Sequence, residues 1–266
     1  MMLRWLGFAL LMLPLAPSAA QDWQVRSDWA QYFEAAGVRG TMVLVDERSG
    51  LHGLHNPERA EQRFIPASTF KIPHALFALD AGVLRDEFQV FDWDGTEHDI
   101  ASWNGDQDLR GSMRNSVIWV YQQIALEIGE PAERSYLERI GYGNADPSGA
   151  LESFWLDGKL GISAREQVAF LQRLFRNELP FEVGDQRLVK DVIIAEAGRD
   201  WILRAKTGWG ARADPQVGWW VGWVEWPEGA VFFALNIEMP NGAADLAKRE
   251  SIARQILRSI QALPEA

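Results

Sequence analysis

The chain contains no cysteine. That excludes disulfides, a thiolate nucleophile and any Cys-ligated metal, even in an oxidising compartment. Stability therefore rests on packing, and 266 residues suffice for one large domain or a domain with an inserted subdomain. Histidine is scarce, with four in all. His52 and His55 flank Gly53-Leu54 without the helix and glutamate of a zinc motif. His74 falls in an apolar helical stretch and reads as a packed ring rather than a base. His98 lies among Asp92, Asp94, Glu97 and Asp99, which with Asp106 and Asp108 lack calcium-loop spacing and read as a solvated loop. No metal site is expected. Basic charge is also short, leaving a net charge of −11 that argues against nucleic acid and anionic membranes as partners.

After residue 20 no apolar run is long enough to span a bilayer. Before it, Met1-Met2-Leu3-Arg4, an apolar run from Trp5 to Ala16 broken by Pro14, and Ser18-Ala19-Ala20 have the form of a signal peptide. A retained anchor is the rival reading. The expectation is export to the periplasm, removal of residues 1–20, and a single catalytic domain over 21–266 with no membrane attachment.

Hydrophobic periodicity places a helix over Asp28–Ala36, capped at Ser27 and stopped at Gly37. Strands follow at Thr41–Val45 and Leu51–Leu54, and again near the other end at Trp201–Ala205, Gly218–Trp226 and Ala230–Glu238. An amphipathic helix, roughly Ala244–Leu263, ends the pattern. Between the ends the chain reads as helical: Val117, Val120, Ile124 and Ile128 share one face, and Ser163 with Glu166 forms a capping box. The expected fold is α+β. It has one antiparallel sheet of about five strands, flanked by N- and C-terminal helices, with an all-helical subdomain inserted at roughly 60–195. A cleft between sheet and subdomain would hold the site.

Four motifs occur in one order: Ser68-Thr69-Phe70-Lys71, Ser116-Val117-Ile118, Tyr142-Gly143-Asn144 and Lys206-Thr207-Gly208. Ser68 and Lys71 share a face of a helical turn, and there is no second Ser-x-x-Lys. Pro66 and Pro73 bracket that turn and favour a tight 3₁₀ start to a helix. A serine needs a base, and a lysine with a pKa near its ordinary value of about 10.4 is protonated at neutrality. Apolar burial would neutralise the amine, and a neutral amine can react with carbon dioxide to give a carbamate, a better proton acceptor. Lys206-Thr207-Gly208 follows a strand, where a cation and a hydroxyl suit a carboxylate-bearing acyl substrate; no glycine-rich phosphate loop precedes it. Arg249 falls on the apolar stripe of the last helix, between Leu246 and Ile252, positioned either to clamp a carboxylate or to snorkel. Of thirteen tryptophans, Trp219, Trp220, Trp223 and Trp226 alternate faces of one strand and read as packing; Trp155 stands alone.

These motifs, with Trp209 and the run Gly218-Trp219-Trp220-Val221-Gly222-Trp223, resemble the class D β-lactamases, or oxacillinases, from about Arg26 to the C-terminus. The Ser-Asp-Asn triplet and glutamate loop of class A enzymes are absent. The resemblance implies the penicillin-binding, β-lactamase-like three-layer fold and hydrolysis of penicillins, oxacillin types included. Ser68 would be the nucleophile, and Lys71, carboxylated by carbon dioxide or bicarbonate, the base for both half-reactions. Trp155 would hold the carbamate, with Ile118 and Leu156 as its apolar wall. Ser116 would relay a proton, and the backbone N–H groups of Ser68 and Trp209 would form the oxyanion hole. Lys206, Thr207, Gly208 and Arg249 would bind the drug carboxylate, while Tyr142 and Asn144 would shape the cleft wall. A homodimer is a further expectation of the resemblance. The rivals are a penicillin-sensing domain that is acylated without turnover and a cell-wall D,D-peptidase.

Two departures bear on rate and substrate range. Ile118 is one methylene larger than the family's valine, and the 210–216 loop is longer than in the branch the chain most resembles.

Overall fold

The computed structural model describes residues 22–265; the expected signal peptide lies outside the described residues. Seven strands form one sheet: β1 (Gln24–Val25), β2 (Gly40–Asp46), β3 (Leu51–His55), β4 (Ile194–Ala197), β5 (Ile202–Gly210), β6 (Val217–Trp226) and β7 (Gly229–Glu238). Their order is β1-β3-β2-β7-β6-β5-β4, antiparallel except where β1 joins β3. The expectation of about five strands is thus corrected to seven. β1 spans two residues, and β4 is exposed at every position, so neither carries the apolar alternation that marks a strand in sequence. β5 also runs past Ala205 to Gly210, which puts Lys206-Thr207-Gly208 inside the strand.

Ten helices complete the described chain: α1 (Ala30–Ala36), α2 (Pro57–Glu61), α3 (Lys71–Asp80), α4 (Leu109–Arg114), α5 (Ile118–Ile128), α6 (Glu130–Ile140), α7 (Phe154–Asp157), α8 (Ala164–Phe175), α9 (Val183–Val192) and α10 (Leu246–Ser259). α2 to α9 lie between β3 and β4 in sequence. Period-2 alternation divides the sheet's two faces. Val43, Trp219, Val221, Trp223 and Phe232 join the core of the helices from α3 to α9. Met42, Leu44, Trp220, Phe233 and Leu235 pack with Trp29 just before α1, Phe33 of α1, and Ile252 and Ile256 of α10. With both faces covered, β6 and β7 are apolar almost throughout.

Local signals explain several boundaries. Gly37 takes the left-handed conformation (φ 63°) that ends α1. Ser163 and Glu166 form the expected capping box of α8. The last helix is shorter than its pattern, because Gly242–Asp245 is a 3₁₀ turn and α10 begins at Leu246.

Candidate active site

Ser68 lies in a 3₁₀ turn, Ala67–Phe70, that runs directly into α3 at Lys71. Five hydrogen bonds hold the turn. Trp219 Nε1–H donates to Ile65 O at 2.9 Å, and Phe64 exchanges backbone bonds with Ile162. Thr69 Oγ1–H donates to Pro66 O at 2.7 Å and accepts from Gln167 Nε2 at 2.9 Å. The turn also seats against β5 at Gly208, where a Cβ would stand 3.0 Å from Pro66 O. Ala67 is in the left-handed region (φ 49°), a strained conformation for a residue with a Cβ.

Lys71 Nζ is 3.4 Å from Ser68 Oγ and 4.7 Å from the centre of the Tyr121 ring. Its side chain is fully buried. Burial, and then the charge of Lys206, push its pKa well below the ordinary lysine value. No acidic side chain among the described residues offsets this. Trp155 is buried as well, and its indole N–H has no partner among the described residues. A buried donor without an acceptor costs free energy. Burial and the Lys206 charge favour the neutral amine that carbon dioxide requires, and the free Trp155 N–H offers a donor to a carbamate oxygen, so the residues present fit the modification that the resemblance implies.

Ser116 occupies the C′ position of α4. Its N–H donates to Met113 O and the N–H of Val117 to Ser112 O, the two bonds of a Schellman turn, and Ser116 adopts the φ of 56° that this turn requires. Glycine is usual there, so Ser116 holds a strained conformation. Lys206 Nζ donates to Ser116 Oγ at 3.0 Å and to Thr207 O at 3.0 Å. Burial, and then the charge of Arg249, push Lys206 down to about 7.

Arg249 resolves the anomaly on its helix stripe. It donates to Gly208 O at 2.7 Å and Leu246 O at 2.8 Å. Its stem crosses β6 where Gly218 has no side chain; a Cβ there would stand 2.8 Å from Arg249 Cδ. Ala205 N–H bonds Ile193 O, so alternation along β5 turns the N–H of Trp209 to the same edge, beyond the end of β4.

Ser68, Ser116, Ile118, Leu156, Thr207, Gly208, Trp209 and Arg249 line one cleft of about 400 Å³. Lys71 and Trp155 lie buried rather than on its surface, and Lys206 borders a neighbouring cavity. Tyr142 and Asn144, expected at the cleft wall, do not reach it. Gly143, at φ 56°, packs so closely on Gly161 that a Cβ would lie 2.0 Å from its carbonyl oxygen. Asn144 then bonds Lys159 O and Gly161 N–H, bracing the chain between α7 and α8. Sequence reading missed Tyr121, Ile100 and Trp103. Tyr121 lies on α5, and no spacing within that helix shows that it meets Lys71 of α3. Arg212, from the loop between β5 and β6 expected to border the site, lines the cleft and pairs with Asp157 of α7.

Comparisons with known proteins identify the family. The penicillin-binding protein transpeptidase domain family matches residues 40–258. The chain is 57% identical over 268 residues to β-lactamase OXA-20 of Pseudomonas aeruginosa, covering 99% of each. It is 56% identical over 259 residues to β-lactamase OXA-2 of Salmonella typhimurium, covering 97% of this chain and 93% of that one. The solved structure of FUS-1 (OXA-85), a class D β-lactamase from Fusobacterium nucleatum subsp. polymorphum, superimposes with a TM-score of 0.87 at 34% identity. That match covers 91% of this chain and 100% of the other. The chain belongs to the class D β-lactamase (OXA-type) family.

Proposed function

We propose that the protein hydrolyses the β-lactam amide of penicillins, oxacillin types included, through an acyl-enzyme on Ser68. The observation that carries this reading is Lys71 Nζ, fully buried without an acidic partner among the described residues, 3.4 Å from Ser68 Oγ. Ser68 Oγ attacks the lactam carbonyl carbon, and the N–H groups of Ser68 and Trp209 receive the developing oxyanion. Carboxylated by carbon dioxide, Lys71 would supply a carbamate oxygen as the base for both half-reactions. The Trp155 indole N–H and the apolar side chains of Ile118 and Leu156 would hold that group. Ser116 Oγ passes a proton to the leaving nitrogen and is resupplied by Lys206. Lys206, Thr207 and Arg249 hold the drug carboxylate, with Gly208 giving it close approach to the strand.

The reading also carries a single catalytic domain over 21–266 with a helical insertion at roughly 60–195, export to the periplasm with loss of residues 1–20, and a homodimer. Among the described residues no helix is long and apolar enough to cross a membrane.

The deciding experiment is penicillin turnover by purified protein with and without bicarbonate, after acidification and gas removal. Turnover restored by bicarbonate is the expected result. Stoichiometric acylation without turnover would instead make the chain a penicillin sensor, and full activity without bicarbonate would remove the carbamate from the mechanism.

A further inference from the structure

Behind the reacting pair lies a second pair that the proposed chemistry does not use. His74 follows Lys71 by three residues on α3, and its Nε2 lies 2.7 Å from Glu133 Oε1 on α6. Both side chains are fully buried. Packed apolar residues of similar volume are often as stabilising as a buried ionisable pair, so the fold alone does not call for one. The imidazole stands in an aromatic cage, with ring centroids 5.0 Å from Phe70, 5.8 Å from Tyr121 and 5.3 Å from Trp155. Those rings also set the lysine pocket: Phe70 stacks on Trp155 at 5.9 Å, and Tyr121 lies 4.7 Å from Lys71 Nζ. The bond to Glu133 fixes the plane and depth of the imidazole among them. His74 Nδ1, Glu133 Oε2 and Trp155 Nε1 all lack partners among the described residues, an expense without structural return.

We infer that His74 and Glu133 are positioning residues that hold Phe70, Tyr121 and Trp155 in the arrangement the lysine base requires. This rests on the proposed role of Lys71. Neither residue lines the cleft, so substrate binding should be untouched. The effect should fall on deacylation, the step most dependent on the placement of Lys71 and Trp155. A misplacement of about 1 Å can cost on the order of 10²-fold in rate.

The double variant His74→Phe/Glu133→Leu keeps a ring in the cage and removes both ionisable groups, so its thermal stability should match or exceed that of the wild type. With a penicillin as substrate, its deacylation should slow about 10- to 100-fold. Its acylated fraction by mass spectrometry should rise, and it should need more bicarbonate for half-maximal activity. Glu133→Gln, which keeps an acceptor for the imidazole N–H, should restore most of the rate. Wild-type deacylation and bicarbonate response in the folded double variant would overturn the inference and leave a pair that only pins α6 to α3. If the double variant does not fold, Glu133→Ala, which lets water in beside His74, carries the same test with the same two outcomes. If the wild type itself is indifferent to bicarbonate, the base assignment is what fails. The ratio of deacylation to acylation in the variants then decides the role of His74 separately.

Discussion

Ser116 Oγ and Lys206 Nζ lie 3.0 Å apart across 90 residues of sequence, with the serine held there by a left-handed backbone. Lys206 is pushed down to about 7 by burial and by Arg249. Below that pH its ammonium can donate through Ser116; above it the neutral amine is the weaker supply. The free-enzyme profile of kcat/KM should therefore decline on the alkaline side, starting near neutrality. Lys206→Arg should move that limb upward, because a guanidinium keeps its proton. Ser116→Ala should slow acylation by about 10²–10⁴-fold. A wild-type profile that stays flat well past neutrality would contradict the relay.

Lys71→Met should abolish turnover and stabilise the protein. The lysine's pKa is lowered in the folded state, so between the folded value and 10.5 the unfolded chain binds more protons. This group's contribution to stability therefore falls as pH drops from 10.5 and is least favourable below the folded value. Removing the lysine relieves that cost. For a chain of this size each kcal/mol raises the melting temperature by about 2–4 °C. Thermal denaturation of both proteins in carbon dioxide-free buffer at neutral pH tests this, and the gap should close as pH rises. A variant melting at or below the wild type would show that Lys71 is not destabilising.

Trp155→Phe keeps a ring against Phe70 and removes the unpartnered N–H. Deacylation should slow more than acylation, and more bicarbonate should be needed for activity. Equal loss in both steps, measured by stopped-flow acylation and by decay of the acyl-enzyme, would contradict the assigned role.

Much of this site is readable from sequence because it is built from short-range geometry. The spacing of Ser68 and Lys71, the alternation of Trp219, Trp220 and Trp223, and an arginine on the apolar stripe of α10 are local signals, and Ser68 and Arg249 line the cleft. What was not legible depends on how helices register against one another. Tyr121 under Lys71 and Glu133 against His74 come from α5 and α6, which no local pattern aligns with α3. The placement of Tyr142 and Asn144 behind the cleft follows from one close approach between Gly143 and Gly161, distant in sequence. The left-handed backbone at Ser116 is hidden for a different reason, since serine gives no sign of it.

Arg249→Ala should raise KM for penicillins and lower kcat/KM by an amount equivalent to about 2–5 kcal/mol, the cost of truncating one partner of a buried charge pair. Gly218→Ala tests the same contact without touching the charge. Its Cβ would meet Arg249 Cδ at 2.8 Å and Met239 Sδ at 2.6 Å, so the guanidinium must shift. Both variants should weaken binding more than kcat. A Gly218→Ala enzyme with wild-type KM would show that the arginine's route over β6 is not what sets its position.

Ile118→Val sets two effects against each other. Ile118 is half-buried and lines the cleft with Ser68 and Leu156, so losing a methylene widens the path by which deacylating water reaches Lys71. The same change could wet the lysine pocket, raise the amine's pKa and weaken the base. The first effect should win. Lys71 is fully buried with its Nζ over Tyr121, whereas Ile118 is partly open to the cleft. Trimming the rim leaves that floor in place. Loss of one methylene from a fully packed site costs about 0.5–1.5 kcal/mol, and a half-buried position should lie at the low end. Faster decay of the acyl-enzyme, a smaller acylated fraction at steady state and an unchanged bicarbonate requirement are the expected results. A higher bicarbonate requirement in Ile118→Val would mean that dryness, not water access, is what this side chain controls.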